Sequence, residues 1–174
     1  GGGLKGGPPA WGSGFLPATY QGTTMRAGDS PILHLQSPQG SARQRATIDL
    51  IQQMNAMHVA KREADSELDA RIRSYELAFR MQSAAPEAVD ISRETEATKK
   101  LYGMHDPTTK EFGTRCLLAR RMIERGVRFV QLYSGDTNGW DAHEDVLKNH
   151  TEYCGRTDKP VAGNRRRTIC VYLN

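Results

Sequence analysis

The chain has 174 residues, of which 37% are hydrophobic, 7% aromatic and 25% charged, with a net charge of +4. That is the length of one domain, or of part of a larger one, and the charge balance excludes a disordered polyelectrolyte. The three cysteines, Cys116, Cys154 and Cys170, exclude a disulfide framework, and so mild a net charge gives no argument for nucleic acid. No apolar run approaches the ~20 residues of a membrane helix, and no signal peptide is visible at residues 1–7.

Residues 1–30 are rich in glycine and proline. Nine of the 17 glycines fall within the first 28 residues, together with Pro8, Pro9 and Pro17. This segment is expected to be loop. Its large apolar residues, Trp11, Phe15, Leu16 and Tyr20, predict that the loop packs on something. Residues 31–35 (PILHL) can make one short extended piece. From Ala42 to Lys61, Ile48, Ile51, Met54 and His58 follow the three- and four-residue steps of a helix. A second helix is expected from Ser66, whose hydroxyl can cap it, with Asp69 in the first turn. Leu68, Ile72, Tyr75 and Phe79 form its apolar stripe. Pro86 disfavours helix at Ala85, which predicts the end there. Ser92 is the expected cap of a short third helix running to Tyr102, and Gly103 supplies the left-handed stop.

The fourth helix has the clearest pattern. Thr108 and Glu111 stand at capping-box spacing. Phe112, Cys116, Ala119 and Ile123 lie on one face. Arg120, Arg121, Glu124 and Arg125 lie on the other, which reads as a solvated face. Gly126 ends the helix, and a two-sided apolar strand is expected over Val127 to Tyr133. Helix, glycine and two-sided strand in succession read as part of an α/β layer. One such strand lacks neighbours, so the chain reads as a piece of a larger α/β protein. A further helix is expected over residues 144–153.

The segment Trp140-Asp141-Ala142-His143 follows the strand within a few residues. Ligands of open α/β sheets bind beyond the carboxyl ends of strands. In an extended segment Asp141 and His143 face the same side, and one carboxylate with one imidazole suits a divalent metal. The alternative is that Asp141 caps the next helix and His143 is solvated. Asp136, Glu144, Asp145 and His150 lie close by and read as surface. The cluster of Arg120, Arg121, Arg125 and Arg128 has no accompanying aromatics, which argues against nucleic acid. Cys116 reads as core, and Cys154 and Cys170 have no CxxC partner for a zinc site. No His or Asp marks Ser134 as a nucleophile, and Gly12-Ser13-Gly14 lacks the strand and helix of a nucleophile elbow. His58 and His105 read as structural.

Several stretches together resemble one family. They are PAWGSGFLPATYQGT, PILHL, RIRSYELAFRMQSAAPEAVDIS, LYG, CLLARRMIERGVRFVQLYSG, WDAHEDVLKNH and TDKPVAG, in order from Pro9 to Gly163. The chain resembles the domain of unknown function 1501 family, common in planctomycetes and related bacteria and placed in the alkaline phosphatase and sulfatase superfamily. The resemblance implies an α/β fold: part of an alkaline phosphatase-like parallel sheet with flanking helices, mostly helical in the part present. It implies metal-assisted hydrolysis of phosphate or sulfate esters, of a small molecule or a polysaccharide, and export by a twin-arginine signal. It carries Asp141 and His143 over as ligands of a divalent metal. The expected organisation is a loop segment over 1–30, the central part of the domain over 31–163, and a tail over 164–174 without family character. The family's Gly-Gly-Pro-Ser loop, where a nucleophile and first ligand are expected, has no counterpart at Gly7-Pro8-Pro9. The chain therefore reads as an internal piece of the family's domain, inactive alone. The other reading is a non-catalytic binding or structural protein on the same fold.

Overall fold

The computed structural model describes residues 12–17, 20, 22–26, 31–32, 38, 40–59, 66–134, 139–164 and 170–173. The chain divides into two compact units: Gly6–Met25 with Ile32–Pro86, and Gly1–Lys5 with Arg26–Pro31 and Glu87–Asn174. The architecture is mostly helical. No helix among the described residues is long and apolar enough to cross a membrane.

The first unit contains α1 (Ser41–Val59) and most of α2 (Ser66–Val89). Both helices start where the sequence places them, within a residue. Only the first part of the α1 stripe is covered: Ile48 is buried and Ile51 half-buried, while Met54 and His58 are exposed. The tie between the two helices is polar. Glu76 accepts hydrogen bonds from Arg45 at 3.2 Å, Gln52 at 3.0 Å and Arg80 at 3.3 Å. The expectation that the loop's apolar residues pack fails for Phe15, which is 97% exposed, and for Leu16 and Tyr20, which are also exposed. Trp11 and residues 33–35 of PILHL lie outside the described residues.

α2 does not stop at Ala85 but runs through Pro86 to Val89. Pro86 has no N–H for the carbonyl four residues back, which costs the helix one bond. The final turn gains others. The buried Arg121 guanidinium donates to the carbonyls of Ala88 at 2.9 Å and Glu87 at 2.8 Å. Carbonyls at a helix end otherwise lack intrahelical partners.

The second unit holds α3 (Glu96–Leu101), α4 (Pro107–Glu124), β1 (Gln131–Ser134), α5 (Val146–Gly163) and β2 (Cys170–Leu173). Thr95, not Ser92, caps α3 by accepting from the Thr98 amide at 3.1 Å. Ser92 is already engaged by the Asp90 carboxylate, through its amide at 2.9 Å and its hydroxyl at 2.6 Å. Gly103 (φ 69°) and Gly126 (φ 92°) supply the left-handed stops expected of them. α4 starts at an Asp-Pro pair and not at Thr108. Asp106 accepts from the Thr108 amide at 2.8 Å, and Pro107 takes the first helical position, where its missing N–H costs nothing. Glu111, freed from the capping box, pairs with Arg115.

Phe112, Cys116 and Ala119 of the predicted stripe are buried with Leu117, Tyr102 and Leu132 of β1 in one cluster. Ile123 at the end of the stripe is only half-buried. α5 packs on α4 and continues well past its expected end at Tyr153, to Gly163, with Pro160 inside. Just beyond α5, Asn164 accepts from the buried Tyr102 hydroxyl at 2.9 Å.

The strand is shorter than expected. Residues 127–130 are not in the ladder, and Phe129 is 63% exposed. Pairing sets the limit: β2 lies parallel to β1 in a four-residue register from Gln131↔Cys170 to Ser134↔Leu173. Parallel neighbours need a crossover, and α5 supplies it. β1, α5 and β2 therefore make one β-α-β unit.

Candidate functional site

β1 ends at Ser134, and the described chain resumes at Gly139. From there to α5 the backbone is held by short-range bonds. The Trp140 indole N–H donates to the Ser134 carbonyl at 3.2 Å, tying the loop to the strand end. The indole is tilted against Tyr153, with centroids 5.4 Å apart, and against His150 at 6.1 Å. The Asn149 side-chain amide donates to the Gly139 carbonyl at 2.9 Å. The Trp140 carbonyl accepts from the Ala142 amide at 3.2 Å and from His150 Nε2 at 3.2 Å. A carbonyl oxygen only accepts, so that nitrogen carries the proton.

This frame presents Asp141 and His143 to solvent. Their side chains are 65% and 84% exposed, and His143 Nε2 stands 3.3 Å from Asp141 Oδ2. Asp141 does not cap the next helix. Asp145 does, accepting from the Lys148 amide at 3.2 Å with its own backbone left-handed at φ 44°, ψ 61°. Asp is one of the few side chains that tolerates that region. Among the described residues no group of three or more His, Cys, Asp and Glu could hold a metal. Glu144 is exposed, and Asp136 lies outside the described residues.

The pair is an ion-pair contact whose separation also matches that of two donors on one metal. Two donors bound to one zinc at about 2.0–2.1 Å in tetrahedral disposition stand about 3.3–3.4 Å apart, and these stand 3.3 Å apart. A structural or catalytic zinc needs at least one more protein ligand. Residues 135–138, just before this loop, lie outside the description.

The other candidates resolve into structure. Arg121 and Arg120 bind Glu94 at 2.5 Å and 2.7 Å, with the Arg121 and Glu94 side chains 10% and 12% exposed. Arg125 binds Glu87 at 3.1 Å. The arginine face expected to be solvated is thus an anchor for residues 87–94, and Arg128 is exposed. Burial works to raise the Glu94 pKa, but the hydrogen bonds from Arg120 and Arg121 outweigh it and hold the carboxyl below the usual carboxylate range. Cys116 is core, as its position predicts, and burial pushes its thiol up to about 12. Cys154 is an exposed free thiol. Ser134 is buried, and its carbonyl serves Trp140. His105 lies 3.4 Å from Glu96, and His58 is exposed on α1.

Sequence reasoning missed Asn149 and His150 as the frame of this loop. The available signal was helical phase: with the cap at Asp145, both fall on the first turns of α5, within reach of the carbonyls just before Asp141.

Residues 1–164 match the family described as protein of unknown function, DUF1501. The chain belongs to that family. No curated protein and no solved structure matches this DUF1501 chain. The Asp141–His143 loop and its frame in α5 fall inside the matched region, and β2 falls outside it.

Proposed function

We propose that this DUF1501 chain carries part of the active site of a metal-dependent hydrolase of phosphate or sulfate esters, on an alkaline phosphatase/sulfatase-type α/β fold. Asp141 and His143 are two of the ligands. The observation that supports this most is their placement: an exposed carboxylate and imidazole, 3.3 Å apart, on a braced loop beyond the carboxyl end of a strand in a parallel pair. That is where ligands gather in open α/β sheets.

In this reading Asp141 offers Oδ2 as an anionic donor and His143 offers Nε2 as a neutral one. Trp140 holds the loop against the strand end. A divalent metal bound there would polarise an ester oxygen and stabilise the charge that develops on it. The experiment is a zinc and manganese titration of the full chain beside Asp141→Ala and His143→Ala, followed by aryl phosphate and aryl sulfate as substrates. The reading predicts weak but saturable binding, with water completing the coordination shell, that both substitutions weaken further. Absence of binding, or binding indifferent to both, would return the chain to a non-catalytic role on the same fold.

A further inference from the structure

We infer that His150, with Asn149, is a positioning residue that sets the spacing of Asp141 and His143. The inference rests on the metal-ligand reading for its purpose, though not for its geometry. Asp141 and His143 are both exposed and touch each other, so their own side chains cannot fix where the backbone places them. The two carbonyls immediately before Asp141 are gripped in succession. Asn149 takes the Gly139 carbonyl at 2.9 Å, and His150 takes the Trp140 carbonyl at 3.2 Å. The Trp140 carbonyl also accepts the Ala142 amide at 3.2 Å. The backbone therefore closes a tight turn around Asp141 and returns His143 to the same side. Both gripping residues sit on the first turns of α5, a helix packed on the buried face of α4. A loop held from a rigid helix keeps two donors within the tolerance a metal demands.

His150 is itself exposed, so its loss should cost little global stability and mainly loosen the turn. The test uses the full chain, free of metal, and reads amide hydrogen exchange at Ala142 by NMR. In His150→Leu the bond to the Trp140 carbonyl is gone, and exchange at Ala142 should quicken about two- to tenfold, the range one modest hydrogen bond commands. His150→Gln keeps a side-chain N–H donor and should restore most of the protection. Asn149→Asp, which turns an oxygen toward the Gly139 carbonyl, should loosen the loop by a second route. Unchanged exchange in both His150→Leu and Asn149→Asp would overturn the inference. So would a Gln variant as loose as the Leu variant, since the imidazole would then act by bulk and not by its bond. Zinc titration of the same proteins separates the two readings. If Asp141→Ala weakens zinc and His150→Leu does not, the positioning role falls and the ligand role stands. If the wild type takes no zinc, the ligand role falls and the exchange data alone decide the positioning.

Discussion

Cys116 and His143 mark two regions built on opposite rules. Around Cys116, on the face of α4 that packs with β1, the neighbours are mostly apolar. Tyr102 bonds Asn164, and the thiol is held neutral by burial. Around His143 the side chains are in water, while the backbone beneath them is bonded carbonyl by carbonyl. The first region spends its chemistry on cohesion. The second leaves two side chains, paired with each other, in water and borrows order from the helix that bonds its backbone. Exposure alone does not make a site, and fixed backbone under exposed ligands is the more informative sign.

The comparison predicts a steep contrast in stability. The largest loss should follow Arg121→Met, which strips the half-buried Glu94 carboxylate of one of its two arginine partners and two α2 carbonyls of their donor. Leaving two carbonyls at the helix end without their donor costs about 1–3 kcal/mol each, and the weakened Glu94 pair adds to that, readable by urea denaturation. Leu117, with no exposed surface, comes next: Leu117→Ala should cost about 2–5 kcal/mol. Asp141→Ala, at an exposed loop position, should stay within about 0.5 kcal/mol of wild type. If it approached the Leu117→Ala loss, the pair would belong to the structural region.

Acid sharpens the same contrast. The Glu94 carboxyl is held below its ordinary 4.5 in the folded state. A depressed carboxyl contributes stability that is fully present above the unfolded value and is lost as pH falls through the folded one. Stability should therefore drop below about pH 4.5, and the Glu94 share of that drop should shrink in Arg121→Met, where Arg120 alone still holds the carboxyl. A pH series of denaturation midpoints for both proteins checks this. A smaller effect concerns thiols. At pH 8, Cys154 should alkylate readily while Cys116 stays protected until the chain unfolds, as peptide mapping would show.

How much of this was legible depended on how local the cause was. The α4 stripe, the start of α2 at Ser66 and the stops at Gly103 and Gly126 follow from neighbours in sequence, and they stand. The end of α2 did not, because Arg121, far along the chain, supplies donors to the Glu87 and Ala88 carbonyls of the last turn. The arginine face of α4 read as solvated for the same reason: its partner Glu94 lies before α3. The start of α4 was shifted because Asp106-Pro107 competes with Thr108 for the cap, and the propensities of both are real. β1 was overextended because its length is set by the four residues of β2. For the site, the pairing of Asp141 with His143 was visible from spacing two apart. The bracing by Asn149 and His150 was not, since it depends on where α5 begins. Family membership, read from the ordered motifs between Pro9 and Gly163, agrees with the match over residues 1–164.

The most direct measurement is equilibrium dialysis of the full chain against zinc, for wild type, Asp141→Ala and His143→Ala at equal folded concentration. The account predicts saturable binding by the wild type and a loss of more than about tenfold in affinity in each variant. Equal zinc binding in all three proteins, or none in the wild type, would contradict it.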